Sequence, residues 1–585
     1  MSLCVNQKDM KIRICLIALL FASVFQLQAQ SVSLHGKITD INGKPIEFAS
    51  ISSQGKITFS SLKGEFSMTL QSADSVVVKF SMIGYKTKTR ILRRPKGTQR
   101  LMVTLLEEEN TLETVDVKGQ RIQTGQNQQL RKEDLKQINA ANGNGVERFV
   151  QLQAGVSTHS ELSSQYNVRG GAFDENSVYI NGNEVYRPFL VRSGQQEGLS
   201  VINPHMVDNI DFSTGGFAAK YGDRMSSSLD ITYKQPKRFE ATVAASLMSA
   251  DVYIGLGHQN FSWTNSFRCK STANLLGSLE TSGEYKPKFL DYQTYLHYAP
   301  NQRWTVDIIG NINQNRFDFY PESRETSFGT SQNVKSFRVY FDGQEKDLFK
   351  TYFASATLTR HFSKNTRLSL TASAFKTNER EQYDIQGQYW LTQTETSRRL
   401  GVGTYFEHAR NYLKAQVKAV KLMLQHKTAK HHFEGAIYFK KERIEEHSNE
   451  YEMRDSSGYS IPHTGKDLNL IYALRAQNKM TSDRFESYLQ DTWHFTSAAE
   501  HTHFTLNYGI RMSHWSFNKE TIVSPRLSLG IIPPFNNHVT LRFATGLYYQ
   551  APFFKELRDT TTVNHITVAR LNDKIRSQRS IHFIA

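Results

Sequence analysis

Two stretches decide the reading. Asn167-Val168-Arg169-Gly170-Gly171 leads, after a short spacer, to Val178-Tyr179-Ile180-Asn181-Gly182; later, Gly215-Gly216-Phe217-Ala218-Ala219-Lys220-Tyr221-Gly222-Asp223-Arg224 runs on to Ser228-Leu229-Asp230-Ile231. Adjacent glycines let a backbone turn where a side chain would clash, so these are short strands joined by tight turns. Asn181-Gly182, placed after an apolar run, is a two-residue hairpin signal. Arg169 is expected to make a charge-assisted contact with a carboxylate or a backbone carbonyl. Upstream, Lys132 to Ile138 and Gly145 to Leu152 have helical spacing. Residues 126–235 therefore read as an α+β domain.

After Pro236 the texture changes to long alternating strands, as in Phe261 to Phe267, Trp304 to Ile308, Phe504 to Met512 and Val539-Leu541-Phe543. A hairpin is legible in which Tyr352, Ala354, Ala356 and Leu358 share one face and Leu368, Leu370, Ala372 and Ala374 share the returning face, turning at Ser363-Lys364-Asn365. Long polar stretches, notably His447 to Asp467, read as loops. Short turns on one side and long loops on the other mark an antiparallel transmembrane β-barrel. The mean hydropathy of −0.50 does not oppose this, because strands alternating lipid-facing and lumen-facing residues average to a polar score. Ser524 to Leu529 and Gly546 to Pro552 fit the same texture.

Ahead of both lies a run of short strands and turns from Ser33 to Leu106, spaced as in a small Ig-like β-sandwich over 30–108. At the start, Lys8, Lys11 and Arg13 precede an uncharged run from Ile14 to Phe25 and then Leu27-Gln28-Ala29. That layout predicts a secretory signal over 1–29, too short to span a bilayer. Cys4 and Cys15 would leave with it, and Cys269 alone cannot form an internal disulfide.

These residues carry a resemblance. The run through Asn167 to Gly182 and Gly215 to Ile231 resembles the plug domain of TonB-dependent outer-membrane receptors, and Gly36-x-Ile38-x-Asp40-x-x-Gly43-x-Pro45 resembles the carboxypeptidase-regulatory-like module that precedes many receptors of Bacteroidetes type. The resemblance assigns Asn167, Val168, Arg169, Gly170, Gly171, Asn181, Gly182, Gly215, Gly216, Tyr221 and Gly222 to the plug signature. It makes 109–125 a linker in which Glu113-Thr114-Val115-Asp116-Val117 is the candidate TonB box. A box of this kind pairs as an extended strand with the sheet edge of its partner, which asks for free backbone groups and β-favouring side chains. A barrel of about 22 strands needs about 550 residues at roughly 25 per strand. Residues 236–585 allow about 14 by the same rule, so the barrel is expected to be the N-terminal part of a larger one, in a fragment or truncated product.

The implied function is import of a scarce nutrient across the outer membrane of a Gram-negative bacterium, by plug rearrangement driven by TonB. The alternative is a non-transporting receptor, an adhesion or signalling barrel. Implied partners are TonB, outer-membrane lipid, a nutrient ligand of open class (siderophore, corrinoid, peptide or glycan) and, as a further candidate, a surface lipoprotein. The Val168-Arg169-Gly170 and Tyr179-Ile180-Asn181-Gly182 forms differ from the signatures of starch-utilisation members, which weakens glycan import and a lipoprotein lid.

No cofactor, metal or catalytic group is expected. His431 and Glu434 have the H-x-x-E spacing of zinc carboxypeptidases, but in an alternating strand they point to opposite faces and cannot share a metal. His501 and His503 share a face without a third ligand. Asp174-Glu175, in a plug loop, is expected to pair structurally rather than to meet substrate. Lys+Arg 71 against Asp+Glu 55 leaves a basic chain, yet its cations are scattered. The densest cluster, Arg90, Arg93, Arg94, Lys96 and Arg100, reads as a solvated face and not a nucleic-acid site.

Overall fold

The computed structural model describes residues 31–41, 43–82, 85–106, 127–131, 145–158, 164–186, 201–222, 224–271, 283–330, 333–456, 467–497, 502–535 and 539–585. The predicted signal, the candidate TonB box at 113–117, the helical stretch 132–138 and His501 lie outside them. The chain divides into two compact units, 1–121 and 122–585.

In the first unit, seven strands make two sheets. Ser31–Thr39 lies between Glu65–Gln71 and Thr98–Thr104, and the second sheet runs Lys56–Phe59, Ser50–Ser53, Ser75–Met82, Tyr85–Arg93. Period two fills the space between them: in Glu65–Gln71 the residues Phe66, Met68 and Leu70 are buried while their neighbours face water. They meet Leu34, Ile38, Ile51, Val78 and Phe80 in one core. The buried Ser60 hydroxyl ties that core to the chain, accepting from the Ala49 N–H and donating to the Ile46 carbonyl, each at 2.8 Å. Arg90, Arg93, Arg94, Lys96 and Arg100 are all exposed, with Arg94 paired to Asp74 at 3.1 Å.

The second unit has an inner domain and a large wall. The inner sheet is ordered Asn183–Glu184, Asn176–Ile180, Ser227–Tyr233, Val207–Ser213, Asn127–Arg131, with the helix Gly145–Gln151 packed on it. Val178, Ile180, Ile210, Phe212, Leu229 and Ile231 form its core, which continues into Tyr253, Tyr295, Phe353, Phe375 and Val417 of the wall. The inner domain is therefore seated on the lumenal face of the sheet.

The wall is a 17-stranded sheet. Three short strands, Arg324–Thr330, Arg558–Val563 and Ile566–Leu571, belong to hairpins at one end, which leaves fourteen staves. The sheet is not closed: Glu240–Ala245 pairs with Ser249–His258, Gln578–Ile584 pairs with Leu541–Gln550, and these first and last staves do not pair with each other. Alternation sorts its faces. In Thr366–Gln393, Leu370 is 47% exposed on the outside while Ser369 and Thr371, each 3% exposed, face inward. The predicted hairpin forms, with Ala354 opposite Ala374 and Leu358 opposite Leu370.

One expectation needs correction. His447 to Asp467 was expected to be a loop, but its first part continues the strand His431–Ser456. Five consecutive staves from Asn333–His361 to Asn469–Thr496 run 26 to 30 residues. Spanning takes only about 9–11. The remainder projects beyond the lipid, where both faces can be polar and the apolar alternation that signals a strand disappears.

Candidate functional site

Two of the quoted motifs, Asn181-Gly182 and Gly215 to Gly222, build the part of the inner domain that the wall holds. Asn181 and Gly182 both have positive φ, 49° and 71°, as a tight hairpin turn of the primed type requires. The turn presents its carbonyl to Lys421, whose Nζ donates to Gly182 O at 2.8 Å. Just beyond, Glu184 accepts from Lys440 at 2.9 Å, and Lys440 also meets Glu486 at 2.7 Å. Glu486, wholly buried, is paired in turn with Arg511.

The Gly215 to Gly222 segment is held through its backbone. Tyr548 OH donates to Phe217 O at 3.1 Å, Arg526 donates to Ala218 O at 2.8 Å and to Tyr221 O, and the Lys220 N–H donates to Gln490 Oε1 at 2.9 Å. A Cβ on Gly222 would meet the Arg511 guanidinium, which would have to shift from its place beside Glu486. Across the lumen, Arg268, paired with Asp291 at 2.6 Å, donates to Ile202 O at 2.9 Å. The seat thus rests on buried cations capturing inner-domain carbonyls, bonds stronger than neutral ones.

Arg169 is exposed with φ 50°, and its N–H donates to Gly155 O at 2.8 Å. It is held through its backbone rather than by the charge-assisted contact expected of its side chain. Glu175 accepts from Ser226 Oγ at 2.5 Å and from the Ala172 N–H at 3.1 Å, which is structural pairing.

Asp174 does something else: it lines a cavity of about 360 Å³ between the apex of the inner domain and the wall. Phe173, Asp174, Tyr186 and Arg224 come from the inner domain, Phe375, Met480, Arg484 and Trp515 from the wall, and Pro552, Phe553 and Leu557 from the segment after the strand Leu541–Gln550. That segment is fixed at several points. Arg558 pairs with Glu446, Asn478 Nδ2 donates to Ala569 O at 3.2 Å, and Ile566–Leu571 runs parallel to Ala473 to Ala476.

The cavity joins an apolar wall to charges of both signs. Arg224 stands over Phe553 at 5.4 Å, and Arg484 stands over Trp515 at 4.6 Å beside Glu442 at 3.6 Å. Burial raises the Asp174 carboxyl above its ordinary value, and nearby Arg224 pulls it the other way. A cavity of this size and lining suits a small organic ligand with an apolar or aromatic body and a charged group.

His431 and Glu434 do point to opposite faces. His431 pairs with Asp491 at 2.7 Å, while Glu434 is buried on the lumenal side and accepts from Tyr488 OH at 2.6 Å. Among the described residues no three potential ligands come together around a metal site. Sequence reasoning missed Lys421, Lys440, Arg511, Arg526 and the cavity wall. The available signal was their phase: Lys440 alternates with outward Ile437 and Phe439, which assigns it to the lumen.

Three family models match the chain. The model described as TonB dependent receptor-like, beta-barrel covers residues 291–583, the TonB-dependent Receptor Plug Domain covers 120–227, and the CarboxypepD_reg-like domain covers 34–117. No curated protein matches. Among solved structures, the RagAB peptide importer in its "closed-closed" state aligns at 9% identity and a TM-score of 0.46, over 79% of this chain and 65% of the importer chain. This chain thus spans less than two thirds of that one. The siderophore receptor PirA from Pseudomonas aeruginosa aligns at 10% identity, TM-score 0.26, over 72% and 96% of the two chains. The outer membrane transporter YddB from Escherichia coli aligns at 8% identity, TM-score 0.26, over 78% and 90%.

Proposed function

Because the chain belongs to the TonB-dependent receptor family, whose members are outer-membrane proteins of Gram-negative bacteria, we propose that it imports a nutrient into the periplasm by TonB-driven rearrangement of its plug. The observation that carries the reading is the cavity at the plug apex, on the long-loop side, whose floor is plug and whose wall is barrel. A ligand bound there touches both parts, so moving the plug changes its contacts. The seat supports the same reading: it is assembled from separate bonds between side chains and carbonyls, which can be broken without unfolding the wall.

In this proposal Glu113 to Val117 is the box that TonB pairs with, Asn181-Gly182 and Gly215 to Gly222 shape the plug surfaces held by the wall, and Asn167 to Gly171 makes a turn within the plug. The domain limits follow the sequence reading: signal 1–29, β-sandwich 30–108, linker 109–125, plug 126–235 and barrel from 236. No residue is assigned a catalytic role, and a surface lipoprotein is a candidate partner.

The test is Val115→Pro. Proline removes a backbone donor and fixes φ, which blocks strand pairing at a site outside the folded plug and barrel. We expect surface ligand binding to persist and uptake to be lost. Normal uptake at confirmed expression would refute TonB coupling through this segment. Ligand binding with no uptake by the native protein would favour a non-transporting receptor.

A further inference from the structure

The β-sandwich has unequal sheets, four strands in one and three in the other. On the larger sheet Tyr85–Arg93 is an edge strand, and its Leu92, Arg90 and Lys88 are the register partners of Val76, Val78 and Phe80, which are buried in the core. Residues directly opposite on a sheet share a face, so these three look toward the smaller sheet. Yet Arg90 is exposed, and Lys88 and Leu92 are only half-buried. The smaller sheet therefore ends short beneath them. Its last strand, Thr98–Thr104, pairs with Ser31–Thr39 on one side and with no described strand on the other. The Leu105 N–H donates to Thr39 O at 2.9 Å, so the Thr104 carbonyl, on the opposite side of the same planar peptide, lies on the free edge. There it accepts from Lys88 Nζ at 2.9 Å, an ammonium standing where the amide of a further strand would be.

Charge is concentrated around this opening. Residues 31–106 hold 12 Lys and Arg against 4 Asp and Glu, and seven of those cations, with no carboxylate among them, lie between Tyr85 and Thr104. Among the described residues only one of the seven, Arg94, has a carboxylate within ion-pair distance. The next eleven residues, 107–117, have the opposite composition: Glu107, Glu108, Glu109, Glu113 and Asp116, with no cation. They lie outside the described residues, but the chain enters them at the end of the opening, where Leu106 O accepts from the Lys86 N–H at 2.8 Å. A turn over the glutamates leaves the seven residues 111–117 to run beside the seven of Thr98–Thr104. Thr111, Thr114, Val115 and Val117 are β-favouring residues.

We propose that 107–117 docks back on the β-sandwich that precedes it, adding a fourth strand to the smaller sheet beside Thr98–Thr104 and beneath Lys88 and Arg90, and that this withholds Glu113 to Val117 from TonB. The withholding rests on the reading of those five residues as the box; the docking does not. Docked there, the segment has one backbone edge occupied and the basic strand Tyr85–Arg93 overhanging the other, so the sheet of TonB gains it only on release. A foreign acidic strand would meet the same surface, but the chain's own segment competes as a tethered ligand, at an effective concentration of about millimolar.

The test is amide exchange on the full chain in detergent, with binding of a purified periplasmic domain of TonB measured in parallel. At low salt the amides of 111–117 should exchange about tenfold more slowly in the native protein than in the charge-reversed variant Lys88→Glu, Arg90→Glu. The same factor should appear in the second measurement: TonB should bind the variant about tenfold more tightly, because apparent affinity scales with the fraction of undocked segment. Lys56→Glu with Lys63→Glu, at the far edge of the larger sheet, should change either value by less than about twofold. Unprotected amides at 111–117 in the native protein, or equal protection in the native and reversed forms, would overturn the proposal. Protection that rises with protein concentration would overturn it too, by placing a second copy in the opening. Protection lost in the variant while TonB binds neither form would keep the docking and overturn the box, whereas TonB bound equally by both forms would overturn the withholding. If the variant does not fold, salt on the native protein decides: protection should be lost by about 1 M, where the screening length falls to about 3 Å, and protection that survives would overturn the docking.

Discussion

Lys440→Met should loosen the plug where the hairpin Asn181-Gly182 meets the wall. Lys440 is 5% exposed and bridges Glu184 of the plug, at 2.9 Å, to Glu486 of the barrel, at 2.7 Å. Removing one partner of a buried ion pair costs about 3–5 kcal/mol, because the other charge is left without compensation. Here the lower end applies, since Glu486 keeps Arg511 and the Glu184 side chain remains partly exposed. About 3 kcal/mol of lost local stability corresponds to a roughly 150-fold larger opening equilibrium constant. Amide exchange in detergent reads that equilibrium directly, so the segment Asn176 to Tyr186 should exchange about two decades faster. Lys441→Met, the neighbouring residue on the outward face, should leave it unchanged. The double variant Glu184→Leu, Lys440→Met should recover most of the protection, because a buried pair replaced by apolar groups is often neutral. If Lys440→Met exchanges like Lys441→Met, the ion pair does not hold the plug and the seat rests on the carbonyl contacts alone.

Ser60→Ala should destabilise the β-sandwich by about 2 kcal/mol, since two buried backbone groups lose their partner; in calorimetry its transition should fall by about 8–15 °C, and an unchanged midpoint would show that water replaces the hydroxyl. Metal analysis of the purified protein should find no stoichiometric zinc, and His431→Ala should make no difference; one tightly held zinc lost in that variant would overturn the argument from opposed faces.

Much of this architecture is readable from period and turn chemistry because both are local. Asn181-Gly182 announces a hairpin, and both residues take the positive φ that the turn demands. The Tyr352 to Ala374 pairing follows from two alternating runs and a short turn, and the two runs do pair as a hairpin. Where lipid lies on one side and lumen on the other, alternation is enforced and visible. Beyond the lipid that pressure ends, which is why His447 to Ser456 looks like a loop in sequence and is a strand in the structure.

The candidate site is a different matter, because its contacts are made by closure of the fold. Lys421 reaches Gly182 across 239 residues and Lys440 reaches Glu184 across 256. Phase within one strand shows that Lys440 faces inward; only the stagger between strands, summed around the wall, decides which plug residue it meets. The cavity adds a second non-local element, since Pro552, Phe553 and Leu557 arrive from a segment with no periodic pattern, fixed by Arg558 on Glu446. The outward face of the long staves lies between these cases. Each of its lysines is legible as an outward residue, but the crowding of Lys418 against Lys441 exists only once the two strands are in register. Like charges brought face to face by long-range register are not a product of local preference.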